Sequence, residues 1–209
     1  RLRAKYNSMS VETKAALWFA MCNFINKGIA MIVVPLYTRM LTTEEYGTYT
    51  VFQSWLNIFI IIATLEISRG HYKVGITKYD EDVDNYTISV LGLSNIVTIL
   101  FIVIYLCAIP VFNNLLEMPT YLVLSMFGYL LVYPAWEFWT IQQRFAYKYK
   151  TMVAATLAVA ILSPVIGVAG IYLLNMQSDA AIFSKLLIQG VFALCIYVAF
   201  FRKSHTLFN

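Results

Sequence analysis

Residues 14–37 read KAALWFAMCNFINKGIAMIVVPLY, an apolar run broken in its middle by Asn23, Asn26 and Lys27. As an α-helix, rising 1.5 Å per residue, the run is long enough to cross about 30 Å of hydrocarbon. Lys27 cannot be a flank of a shorter helix, because Gly28 to Tyr37 would span only about 15 Å, half of that thickness. The lysine therefore lies inside the membrane, where a mid-helix cation costs about 2.5 to 3.5 kcal/mol. Facing the bundle interior or a water-filled cavity limits that cost. Asn23, Asn26 and Lys27 stand at i, i+3 and i+4, so they form one polar stripe. Asparagines in such a stripe can simply hydrogen-bond helices together. A cation is not needed for that, so Asn23, Asn26 and Lys27 are candidate ligand contacts.

The composition extends this reading to the whole chain. Of 209 residues, 60% are hydrophobic and 12% charged, where soluble domains carry about 25% charged residues. The apolar residues cluster into five further runs: Thr48 to Leu65, Ile88 to Phe112, Tyr121 to Ile141, Met152 to Leu174 and Ala180 to Phe201. The fold class is all-α, a polytopic membrane protein with six transmembrane helices. Pro134, Pro164, Gly167 and Gly170 inside these runs are ordinary in membrane helices, where neighbours re-satisfy the backbone. The polar break in the first run, with no small-residue cleavage pattern after it, excludes a cleaved signal peptide.

Basic residues orient the bundle, because Lys and Arg accumulate in short cytoplasmic loops. Arg1, Arg3, Lys5 and Lys14 precede the first span, and Arg69, Lys73 and Lys78 follow the second. Arg144, Lys148 and Lys150 follow the fourth, and Arg202 and Lys203 follow the sixth. The opposite loops hold only Arg39, which predicts both termini in the cytoplasm. The net charge of +4 thus belongs to a membrane surface with membrane lipids as partners, not to nucleic acid. Trp18, Trp136 and Trp139 fall near cytoplasmic helix ends and read as an interfacial anchor belt. Cys22, Cys107 and Cys195 sit singly in three spans without metal-site spacing and read as packing residues.

Arg39, just past the first helix, either snorkels to the interface or pairs with Glu44 or Glu45. Lys185, about one turn inside the sixth helix, can likewise reach for the interface. Asn57, Asn95 and Gln189 read as interhelical hydrogen-bonding residues. Glu66 and Arg69 are spaced for a local pair at the end of the second helix. Glu137 is a candidate for ion coupling, with H+ or Na+ as the ion, although pairing with Arg144 or Lys148 is the simpler reading. The acidic run Asp80, Glu81, Asp82, Asp84 invites a metal or glycosyltransferase reading. On the cytoplasmic side it is better read as a solvated loop.

From Pro35 the chain continues Pro-Leu-Tyr-Thr-Arg-Met-Leu-Thr-Thr-Glu-Glu-Tyr-Gly. This resembles the loop after the first helix in the oligosaccharide flippases, the polysaccharide biosynthesis proteins of the multidrug/oligosaccharidyl-lipid/polysaccharide exporter superfamily. Pro35, Thr38, Arg39, Leu41, Thr42, Glu45, Tyr46 and Gly47 match that pattern. Leu65-Glu66 with Arg69, and the basic stretch Gln142 to Lys150, resemble further family features. The resemblance implies translocation of a lipid-linked oligosaccharide or polysaccharide repeat unit across the cytoplasmic membrane by alternating access, with no chemistry on the substrate and no cofactor. It also implies twelve to fourteen helices in two lobes, so residues 1–209 are expected to be one amino-terminal lobe, a fragment lacking the second lobe, with a homodimer of lobes as the less favoured option.

The expected cargo is an anionic lipid-linked glycan. Lys27 is expected to offset its phosphate charge, with Arg39 or Lys185 assisting at the outer mouth. Two rivals belong to other classes. A multidrug antiporter of the same superfamily should have an acidic cavity, and Glu137 is the only acidic residue within a span. A membrane enzyme or scaffold of glycan assembly should, if an enzyme, cluster catalytic groups, yet His71 and His205 stand apart from any such cluster.

Overall fold

The computed structural model describes residues 8–67, 70–79, 82–174 and 176–203. Among the described residues every regular element is helical. In chain order they are α1 (Val11–Met40), α2 (Thr43–Thr64), α3 (His71–Lys78), α4 (Val83–Cys107), α5 (Ile109–Leu116), α6 (Thr120–Phe145), α7 (Tyr149–Leu174) and α8 (Gln177–Lys203). Arg1, Arg3, Lys5, Arg69, Asp80, Glu81 and His205 lie outside the described residues, and the expected Glu66–Arg69 pair falls there too.

Five helices, α1, α4, α6, α7 and α8, are long and apolar enough to cross a membrane. The expected second span is not among them. Thr48, Thr50, Gln53, Ser54 and Asn57 dilute the apolar character of α2, although Phe52 and Leu56 are fully buried.

Local chemistry moves several expected boundaries. The tract after the first span is not a loop, because α1 runs through Pro35 to Met40 and only Leu41 and Thr42 separate it from α2. Thr42 and Glu45 form a capping box: the Glu45 amide donates to Thr42 Oγ1 at 3.3 Å, and the Thr42 amide donates to Glu45 Oε2 at 2.8 Å. The box satisfies two amides that a helix start leaves open. The expected third span, Ile88 to Phe112, also divides, with α4 ending at Cys107 and α5 starting at Ile109. Pro110 explains the division, since proline is tolerated in a first turn but removes a hydrogen bond and clashes in a helix interior. Tyr105 donates to Asn113 Oδ1, and Asn113 donates to Thr120 Oγ1, each at 2.8 Å, which ties this corner to α6.

Helix α8 is central, packing on α2, α4, α6 and α7. Between membrane helices lipid is as apolar as leucine, so close packing and hydrogen bonds do the holding. Phe59 and Phe127 meet edge to face at 5.4 Å in the main core. Asn95 of α4 donates to the Tyr197 hydroxyl of α8, as its isolated polar position predicts. Helix α3 seals one end of the bundle: buried Tyr72 shares a 2.6 Å hydrogen bond with Thr87. Gln142 of α6 donates to both hydroxyls, at 3.0 and 2.8 Å. Burial, above all, pushes the Tyr72 hydroxyl pKa far up from its ordinary value.

Helix α1 is the outlier, packing mainly on α7. Only 6% of its most apolar stretch is buried, against 56% for α6. The expected tryptophan belt divides as well, because Trp136 is buried while Trp18 is exposed and stacks on Tyr149 at 6.3 Å.

Candidate functional site

The open helix α1 supplies one wall of a cavity. Cys22, Asn26, Ile29, Val33 and Tyr37 recur at i, i+4, i+7, i+11 and i+15, so they share one face. From Asn26 to Tyr37, and with parts of α2, α6, α7 and α8, that face borders an open cavity of about 450 Å³. The lining is largely apolar, with Asn26, Ser163, Ser184, Lys185 and Gln189 among its polar members. Tyr37, Tyr49 and Trp136 contribute aromatic rings, and the two tyrosines meet edge to face at 5.4 Å.

Lys185 is turned into this bundle and does not snorkel outward. Because α8 begins at Gln177, Lys185 lies about two turns inside the helix, one more than its span boundary suggested. Its Nζ donates to Gln53 Oε1 of α2 at 2.6 Å. The lysine and the glutamine thus hold each other across two helices. Asn26 Nδ2 makes only a long contact, 3.8 Å, to Cys22 Sγ. Asn26 Oδ1, Gln53 Nε2 and Ser163 Oγ are buried, and no hydrogen-bond partner reaches them among the described residues. Buried polar atoms in proteins are nearly always bonded, so three orphans in one region are unusual.

Glycine shapes the floor. A Cβ at Gly167 of α7 would collide with the Tyr37 hydroxyl and lie 2.9 Å from Ser184 Oγ. The missing side chain is what lets α1 and α8 bring those hydroxyls onto α7.

The structure brings Asn26 and Lys185 to one cavity and separates them from the other expected contacts. Asn23, Lys27 and Arg39 are exposed on α1. The expected stripe splits because Asn26 and Lys27, adjacent in sequence, point about 100° apart around a helix. Lys27 therefore does not face the interior of this bundle. It shares its side of α1 with Phe24, Met31 and Val34, all exposed. Arg39 occupies the last turn of α1 and not a loop. Glu45, one of its two expected partners, has Oε2 engaged in the α2 cap.

Glu137 lines a second cavity, of about 860 Å³, at the α3 end of the bundle. Lys73 and Arg144 line it too, and Arg144 stands over the Phe19 ring at 5.7 Å. Trp136 borders both cavities. Among the described residues no His, Cys, Asp and Glu group forms a metal site.

Sequence reading missed Tyr37, Tyr49 and Trp136 as cavity residues, and Gln53 as the partner of Lys185. For Tyr37 the signal was present, in its register with Asn26 along α1. For Gln53 the signal was weaker: it is one polar residue among several in α2, and only the approach of α8 singles it out.

The family described as polysaccharide biosynthesis protein matches residues 13–209 of the chain. No curated protein and no solved structure matches it.

Proposed function

The chain belongs to the polysaccharide biosynthesis protein family, and on that premise we propose that it forms one six-helix lobe of a flippase. In this reading the flippase moves a lipid-linked anionic glycan across the cytoplasmic membrane by alternating access. Helix α2 is the sixth crossing: its 22 residues reach about 33 Å, and Phe52, Leu56, Phe59 and Ala63 seat it in the main core. Both termini are cytoplasmic, from the bias of basic residues.

The observation that carries the reading is Lys27. It stands about 24 Å from the first residue of α1 and about 20 Å from the last, close to mid-membrane. Its side chain is exposed on the least covered helix of the bundle. An ammonium at that depth facing lipid costs about 2.5 to 3.5 kcal/mol. A hydrated passage between this lobe and a second one removes that cost, and two-lobed transporters hold their substrate sites at such a midplane interface. In that passage Lys27 offers a compact charge to phosphate, with Asn23 beside it and Arg39 as a bidentate partner nearer the outer side. The mixed lining around Glu137, with Lys73 and Arg144, supports a multidrug cation antiporter less well than a wholly acidic cavity would.

The experiment is glycan export by the complete transporter in cells. Lys27→Ala abolishes export while the protein still reaches the membrane, and Lys27→Arg keeps part of it. Normal export by Lys27→Ala overturns the proposal.

A further inference from the structure

The Lys185 cavity has chemistry that the Lys27 passage does not use. The ammonium has three hydrogens to donate, and one of them meets Gln53 Oε1. Among the described residues, none that lines the cavity is acidic. Water satisfies the remaining hydrogen bonds but leaves the positive charge uncompensated at membrane depth, whereas an anion does both. Of the unpartnered atoms whose residues line the cavity, Asn26 Oδ1 is an acceptor and the Ser163 hydroxyl can be either, beside the donating ammonium of Lys185. A bare inorganic anion only accepts, so this mixed set suits a ligand that also carries hydroxyl groups. The volume of about 450 Å³ falls in the range of small-molecule pockets, and a single halide ion does not fill it. The rings of Tyr37, Tyr49 and Trp136 add the flat apolar surface that a sugar ring covers.

We infer that this cavity is a subsite for a carboxylated sugar residue, of the uronic acid class. Its carboxylate lies at Lys185 Nζ, and its hydroxyls lie at Asn26 and Ser163. The inference rests on the glycan-transport reading for the source of the sugar, but the binding it asserts can be measured without transport.

The test titrates the full-length protein in detergent with D-glucuronate, its methyl ester, D-glucose and sodium chloride at matched ionic strength. Tryptophan fluorescence is followed: Trp136→Phe identifies the signal of the two cavities that Trp136 borders, and its persistence in Arg144→Gln, which removes a cation of the second cavity only, assigns it to this one. The expected result is a saturable response to D-glucuronate that is absent with chloride. The affinity is expected to fall by about tenfold or more for glucose, for the methyl ester, and for glucuronate on Lys185→Met, the scale of one lost charge-assisted hydrogen bond. The ester comparison uses the unaltered protein, so it stands even where Lys185→Met fails to fold. An equal response to glucose or the ester, a response to chloride alone, undiminished binding by a folded Lys185→Met, or no response overturns the subsite. The two readings fail separately: no glucuronate binding with export still dependent on Lys27 removes the subsite alone. Export indifferent to Lys27→Ala removes the transport reading whatever the titration gives.

Discussion

Two polar clusters lie within one bundle and end in opposite states. Under α3, the hydroxyls of Tyr72 and Thr87 and the Gln142 amide bond one another at 2.6 to 3.0 Å, with Tyr72 and Thr87 fully buried. Around Lys185, one good bond to Gln53 stands beside three orphaned atoms and an open volume. The first cluster is closed because both hydroxyls and the Gln142 amide nitrogen have found partners in the chain. The second keeps unused hydrogen-bonding capacity in an apolar lining, which is costly unless something other than the chain completes it. Polarity inside the membrane is thus not by itself a sign of function; incomplete satisfaction around a cavity is the more telling sign.

Substitutions can break that contrast. Tyr72→Ala removes a buried ring packed at 4.5 Å on Phe138 together with its hydroxyl, and is expected to cost about 3 to 5 kcal/mol. A large drop in the thermal midpoint in detergent checks it; an unchanged midpoint means the α3 cluster does not hold the fold. Gln142→Leu leaves the Tyr72–Thr87 bond in place and removes two others, for an expected loss of about 1 to 3 kcal/mol by the same measurement. Lys185→Met sharpens the contrast from the other side. It exchanges an incompletely paired cation for an apolar chain of similar length but leaves Gln53 Oε1 without its bond. Relief of the buried charge and loss of that bond oppose each other, so stability is expected to change by less than about 1 kcal/mol. A thermal midpoint that falls as far as that of Gln142→Leu makes Lys185 a structural residue.

Much of the fold was legible along the chain. Long apolar runs report crossings because unsatisfied backbone in hydrocarbon forces helices, and five of the six expected spans appear as helices of suitable length and apolarity. The capping box at Thr42 and Glu45 was legible in principle, as a threonine followed three residues later by a glutamate. It lay hidden inside a tract read for its family likeness. The break at Pro110 was less legible, since Pro35, Pro134 and Pro164 remain inside continuous helices. Proline alone does not decide between a kink and a stop; the polar corner formed by Tyr105, Asn113 and Thr120 accompanies the stop.

The site was legible only as a set of suspects. Lys27, Asn26 and Lys185 stand out as polar residues in apolar runs, and the membrane's intolerance of charge makes them conspicuous without any structure. Which of them share a site depends on helix rotation, because neighbours in sequence point about 100° apart. That rotation set Asn26 with Lys185 and left Lys27 on the open side of α1. Membrane residence was thus determined by composition and run length, which are properties of the chain alone. The pairing of Lys185 with Gln53, 132 positions apart, was decided only when α2 and α8 packed together, because side-chain contact between helices depends on how they rotate and approach, and no local pattern encodes that.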